Sequence, residues 1–161
     1  MSWGKPLFWS LLLLGGAGYG LWWLDTCPVT YVDDRGFSVD FPRGWDTKKE
    51  GEEIISSGLL SSGGGGSGNA TFHPHTGSVD WPTAGLSCLG GIVKWHELNL
   101  IDERPGLLAL FERDGQKCIG AVVDRGDGLI AWSVSCDPRY FDQNRGYFER
   151  CGGGIRCNAK E

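Results

Sequence analysis

Basic clusters are missing from this sequence. Its 15 Lys and Arg residues are scattered among 20 Asp and Glu, for a net charge of −5 at pH 7. Without a positive patch or stripe, nucleic acid and anionic lipid surfaces are poor partners for the folded part. Histidine is scarce: only His73, His75 and His96 occur, which leaves little for a nucleophile–base pair. There is no Gly-x-Ser-x-Gly elbow, no Gly-Lys-Ser/Thr phosphate loop, no Cys-x-x-Cys and no Cys-x-x-Cys-His. Hydrolase, nucleotide, dithiol, zinc-ribbon and c-type haem signatures are therefore all lacking, and no cofactor is expected. The acidic neighbours Glu52-Glu53 and Glu112 with Asp114 are of the kind that turns and strand ends carry routinely, so acid–base catalysis is not indicated.

Charge disappears altogether from Leu7 to Leu24. At about 1.5 Å per residue a helix over this run is roughly 27 Å long, close to the hydrocarbon thickness of a bilayer. Trp9 stands near one end and Trp22 and Trp23 at the other, with Lys5 before the run and Asp25 after it; aromatic rings favour the headgroup zone, and positive charge stays inside. Residues 1–25 are accordingly expected to form a single-pass anchor in the inner (cytoplasmic) membrane, N-terminus in the cytoplasm. Residues 26–161 are expected to form one domain on the periplasmic or lumenal side. A cleaved export signal with Leu7–Leu14 as its apolar core is the competing reading; apolar character continuing through Leu24 favours retention. Gly16 and Gly20 form a GxxxG pair, the spacing at which small residues let helices pack in lipid.

Six cysteines lie beyond that run: Cys27, Cys88, Cys118, Cys136, Cys151 and Cys157. An even number in an exported chain suits disulfides, in an order that sequence alone does not choose. A helix over 138–150 separates Cys136 from Cys151 by about 20 Å, which excludes that pair. Cys151–Cys157 closes a short flexible loop, Cys118–Cys136 spans the open end of a hairpin, and Cys27–Cys88 remains.

Glycine is abundant, at 27 residues, which predicts turns and loops over long helices. Phe37, Val39 and Phe41 alternate with polar residues as a half-buried strand does, ended by Pro42-Arg43-Gly44-Trp45. Residues 53–60 read as a second strand, and 61–68, SSGGGGSG, as a loop without anchoring side chains. Residues 69–75 read as a short edge strand because Pro74 cannot donate to a ladder, and 92–98 as another. Residues 106–113, 117–124 and 128–136 are apolar runs separated by turn chemistry and form an antiparallel meander. Asp137-Pro138 then opens a helix whose Tyr140, Phe141, Tyr147, Phe148 and Cys151 share one face. A short segment around Ile155 returns to the sheet. Strands first and a packed helix afterwards predict an α+β fold.

The stretch YVDDRGFSVDFPRGW, residues 31–45, resembles the opening of PsbP-like domains, with their GF-x-apolar-x-apolar-P-x-x-W strand and turn. The meander followed by DPRYFDQNRGYFERC, residues 137–151, is similar to the end of the same domains and of the related DcrB-like and LpqN-like exported proteins. The resemblance implies an antiparallel sheet with helices packed on it, behind the N-terminal transmembrane helix. It also implies a class in which PsbP itself is an extrinsic subunit beside a photosynthetic membrane complex and many relatives have no assigned activity. The cysteines and the retained anchor depart from PsbP, so a photosystem role is not carried over.

Of the remaining candidates, His73 and His75 lie two apart, so on a strand both imidazoles share a face and reach one metal ion, Zn²⁺ or Cu²⁺; two loop histidines around a proline is the plainer reading, since no third ligand is spaced to join them. Asn69-Ala70-Thr71 is a glycosylation sequon, of consequence only in a eukaryotic secretory pathway. Trp95 and Trp132 are expected in the core and Trp81 at a partner contact. The leading expectation is a non-enzymatic, membrane-anchored accessory subunit of a larger integral membrane complex, photosynthetic or respiratory by analogy; the alternative is a periplasmic module binding a small ligand or metal.

Overall fold

The computed structural model describes residues 27–75 and 80–157. Nine strands and two helices follow one another as β1 (Val29–Asp33), β2 (Phe37–Phe41), β3 (Asp46–Glu50), β4 (Glu53–Leu60), β5 (Gly64–Pro74), α1 (Trp81–Leu89), β6 (Ile92–Ile101), β7 (Arg104–Arg113), β8 (Gln116–Asp124), β9 (Gly128–Cys136) and α2 (Pro138–Gly152). Strands β1 and β2 form a small antiparallel hairpin. The other seven make one antiparallel sheet in the order β3-β4-β5-β9-β8-β7-β6.

Because side chains alternate across a strand, the register sorts them into rows. One row crosses the sheet as Lys49, Ile54, Ala70, Trp132, Ala121, Leu108 and Glu97. It belongs to the face covered by α2 and the β1–β2 hairpin. There Phe37, Val39, Phe41, Trp132, Phe148 and Ile155 are shut away from water in the larger core. Trp132, fully buried, also donates from Nε1 to the carbonyl of Asp40 at 3.0 Å, which ties the central strand to the hairpin. On the opposite face α1 packs over β7, β8 and β9, closing a smaller core of Leu89, Leu107, Phe111, Val122 and Leu129.

Local chemistry explains the helices. Asp137 accepts from the Arg139 N–H, Pro138 occupies the first helical position, and Phe141, Asn144, Phe148 and Cys151 form the buried stripe of α2. Beyond α2, Arg156 exchanges two 2.9 Å hydrogen bonds with Ser38, so the segment around Ile155 pairs with β2 and not with the large sheet. At the β1–β2 turn, Arg35 Nε lies 2.6 Å from Asp33 Oδ1 and Lys49 Nζ 3.3 Å from Oδ2. Burial works to raise the Asp33 carboxyl, but hydrogen bonds from the Arg35 side chain and backbone outweigh it and hold it down at about 2.

Several expectations are corrected here. The α+β class with an N-terminal transmembrane helix gives way to a mostly β fold with two helices. Among the described residues no helix is long and apolar enough to cross a membrane, which overturns the expected fold class and the single-pass inner-membrane location. The expected anchor at 1–25, with Gly16, Gly20, Trp9, Trp22 and Trp23, lies outside the described residues. The glycine run is no loop: only a turn at 61–63 precedes β5, which pairs with β4 on one side and β9 on the other. It is therefore an interior strand, and Pro74 is tolerated because it ends that strand. The reason for the glycines is close approach. A Cβ at Gly58 or Gly66 would sit 2.6 Å from the Trp45 ring, and one at Gly64 2.5 Å from the Tyr140 ring, so large rings lie flat where the sheet carries no side chains. The unassigned stretch around Trp81 is helix α1.

Candidate docking surface

The residues singled out for metal binding do not assemble a site. His73 is the penultimate residue of β5, opposite Leu129, while His75 lies past the strand with its backbone N–H donating to Asp127 O at 3.2 Å. The His75 imidazole is mostly enclosed, with Nε2 3.6 Å from Asp124 Oδ1 and no hydrogen-bond partner on either ring nitrogen. His96 is on β6, separated from β5 by the three strands β9, β8 and β7. Among the described residues no group of three or more His, Cys, Asp or Glu gathers to hold a metal ion. Trp81 opens α1 and is half-buried against the smaller core. Of the acidic neighbours, Glu52 pairs with Arg35, Glu53 accepts from Asn69 Nδ2, and Glu112 pairs with Lys94.

All six cysteines are free thiols, which corrects the expected bridges. Cys118 packs in the core under α1 and Cys136 in the core under α2, so the sheet itself separates them. Cys88 belongs to α1, whereas the carbonyl of Cys27 accepts from Arg43 Nε and Tyr147 on the other face. Cys151 and Cys157 are both buried in the larger core, unbridged. Burial pushes the Cys151 thiol up to about 12 and the Cys136 thiol up to about 11.

Two concavities stand out on the surface of the described residues. One, of about 220 Å³, is walled by Trp45, Leu59, Asn144 and Tyr147. The other, of about 190 Å³, lies between α2 and the start of β6; its Lys94 and Lys117 are matched by Glu112 at 3.2 Å and Asp142 at 3.3 Å. With its lysines already paired, it offers no uncompensated charge to an anion.

The unusual surface is β6. Its ten residues end the sheet, hydrogen-bonded to β7 alone, so half their backbone groups point to solvent. The helices pack mainly on β2, β7, β8 and β9 and leave β6 projecting beyond both layers. Ile92 is 68% exposed, Trp95 42%, Leu98 63% and Leu100 71%, four of the seven exposed large apolar side chains among the described residues. Isolated exposed apolar residues are ordinary; a run of them on an open edge is not. The far edge shows the contrast. Strand β3 reads Asp-Thr-Lys-Lys-Glu, a short charged strand of the sort that discourages pairing.

The Trp95 expectation is thereby corrected: it faces solvent, and only Trp132 of that pair is core. Alternation in the sequence shows which residues share a face, but not that nothing would cover the strand.

No family model matches the chain, and no curated protein does. Among solved structures it is similar to the cyanobacterial PsbP (CyanoP) from Synechocystis sp. PCC 6803, with 12% identity and a TM-score of 0.54, over 82% of this chain and 93% of that one. A protein of unknown function from Pseudomonas aeruginosa aligns at 11% identity and TM-score 0.48, over 76% and 92% of the two chains. One from Bacteroides thetaiotaomicron aligns at 13% and 0.48, over 81% of this chain and 48% of that one. The sheet, the covering helix and the opening hairpin together make this a PsbP-like fold.

Proposed function

We propose that this chain is a non-enzymatic accessory domain that works by docking another protein chain as an added strand on β6. The observation that carries the reading is the open ten-residue edge, with Trp95, Leu98 and Leu100 exposed on it. An incoming extended segment gains main-chain hydrogen bonds from the edge and specificity from alternate side chains. Burying the exposed apolar surface contributes about 25 cal/mol per Å² before the costs of association. The accessory role implied by the PsbP-like resemblance supports the same reading.

The test is photo-crosslinking in the producing cell, with a benzophenone amino acid placed at Leu98 or, as control, at Val32. Val32 is just as exposed, at 67%, but lies on the β1–β2 hairpin. Discrete protein adducts from position 98 and none from 32 are expected. Equal labelling at both sites, or no protein adduct at 98, refutes the docking role.

A further inference from the structure

Resting on that reading, the geometry points to a second copy of this chain as the occupant of β6, paired antiparallel about a two-fold axis at Leu98. The turn joining β6 to β7 has two residues, Asp102 and Glu103, so Ile101 and Arg104 form its closing pair and exchange hydrogen bonds. Counting back from Ile101, residues 99, 97 and 95 face β7, and the backbones of 100, 98 and 96 face the open edge. The Leu100 N–H agrees: it is held by its neighbour Asn99, whose Oδ1 accepts it at 2.8 Å.

A two-fold axis perpendicular to the sheet continues each face into the other copy, so opposed residues must share a face. The regular part of β6 runs from Trp95, just past a register shift between Val93 and Trp95, to Ile101. Its midpoint is Leu98. An axis there sets Leu98 against Leu98, His96 against Leu100, Glu97 against Asn99 and Trp95 against Ile101. It uses every residue between the irregularity and the turn, and no like charges are directly opposed, the two Glu97 side chains being diagonal neighbours. An axis at Glu97 would oppose two carboxylates, which is destabilising. At the ends, Lys94 of each copy, which its own Glu112 already holds at 3.2 Å, comes near Glu103 in the turn of the other, opposite in charge; Asp102 is already taken by the Cys157 N–H. The result is a continuous fourteen-stranded sheet with Leu98 and Leu100 of both copies clustered on one face and Trp95 on the other.

The experiment is sedimentation of the purified full-length chain in non-ionic detergent, with three versions compared: wild type, Leu98→Lys and Leu98→Asp. The wild type is expected to dimerise. Either variant alone sets like charges across the axis and should weaken the dimer about tenfold or more. Mixing the two restores it as a heterodimer, because lysine then faces aspartate. Leu98 is exposed, so both variants should keep the wild-type circular dichroism; should one unfold, crosslinked-peptide mapping between isotopically light and heavy wild-type copies reads the same register as inter-copy 96–100 links. A monomeric wild type, a dimer indifferent to both substitutions, or failure of the mixture to recover overturns the proposal. A monomer that still crosslinks a different protein from position 98 overturns the dimer while leaving the docking function standing; loss of all adducts removes both.

Discussion

Replacing Gly66 by Ala should destabilise the domain, while the same change one residue earlier should not. Both glycines lie in β5, but alternation sends them to opposite faces. At Gly66 a methyl group would stand 2.6 Å from Trp45 Cζ2 and 3.1 Å from the Ser135 carbonyl; at Gly65 nothing lies within 4 Å. Trp45 has little room to retreat. It is 8% exposed, its Nε1 donates to Leu59 O at 3.3 Å, and its ring meets Phe148 edge-on at 6.5 Å. Overpacking of this kind costs about 1–3 kcal/mol, partly offset by the ~0.4–1 kcal/mol gained when a glycine loses freedom in the unfolded chain. A net loss of about 1–2 kcal/mol follows for Gly66→Ala, a fall of roughly 4–8 °C in Tm, against no change or a slight rise for Gly65→Ala. Urea and thermal unfolding measure both. Trimming the ring with Trp45→Leu should remove most of the Gly66→Ala penalty, a coupling of about 1 kcal/mol or more. Equal effects at 65 and 66, or no coupling to Trp45, would refute the idea that the glycines exist to receive the ring.

Three further outcomes are expected. The Asp33 carboxyl is held at about 2, below its ordinary 3.8, so its stabilisation is full above pH 4 and is lost as pH falls through 2. Asp33→Asn should cost about 2 kcal/mol at pH 7, the two stability curves converging near pH 2 in acid titrations; parallel curves throughout would exclude this. His75→Phe sacrifices no ring hydrogen bond, since neither nitrogen has a hydrogen-bond partner. It should leave stability unchanged or raise it by up to about 1 kcal/mol in the same assay; a loss of stability would show that the 3.6 Å contact between His75 Nε2 and Asp124 Oδ1 supports the fold. Thiol titration near neutral pH should label Cys27 and Cys88 first, the two that are only half-buried. All six should react in denaturant without added reductant; fewer would mean that disulfides form after all.

The sequence made the outer features of the fold readable where local chemistry governs them. Strands β4 and β9 begin and end where their apolar runs do, and α2 starts at Pro138 behind a capping Asp137. Misreadings arose where a distant residue decides. Glycine signals a loop by its own propensity, yet Gly64 and Gly66 are in a strand because Tyr140 and Trp45, far along the chain, need the space. Helix α1 is short, carries Gly85 inside and lacks a side-chain cap bonded to its backbone, so its pattern was faint. The cysteine pairings failed for a topological reason, since spacing along the chain is blind to a sheet standing between Cys118 and Cys136. For the docking surface, the apolar residues of β6 were visible, but their exposure depends on where the helices end.

The Ser38–Arg156 clasp has a consequence for synthesis. During translation the opening hairpin leaves the ribosome long before its closing partner exists. Phe37, Val39 and Phe41 must wait, without Trp132 and Phe148 against them, until more than a hundred further residues have been made. Nascent chains are thus sticky over that interval, and a chaperone that shields residues 37–41 would act on the stage when they are most vulnerable.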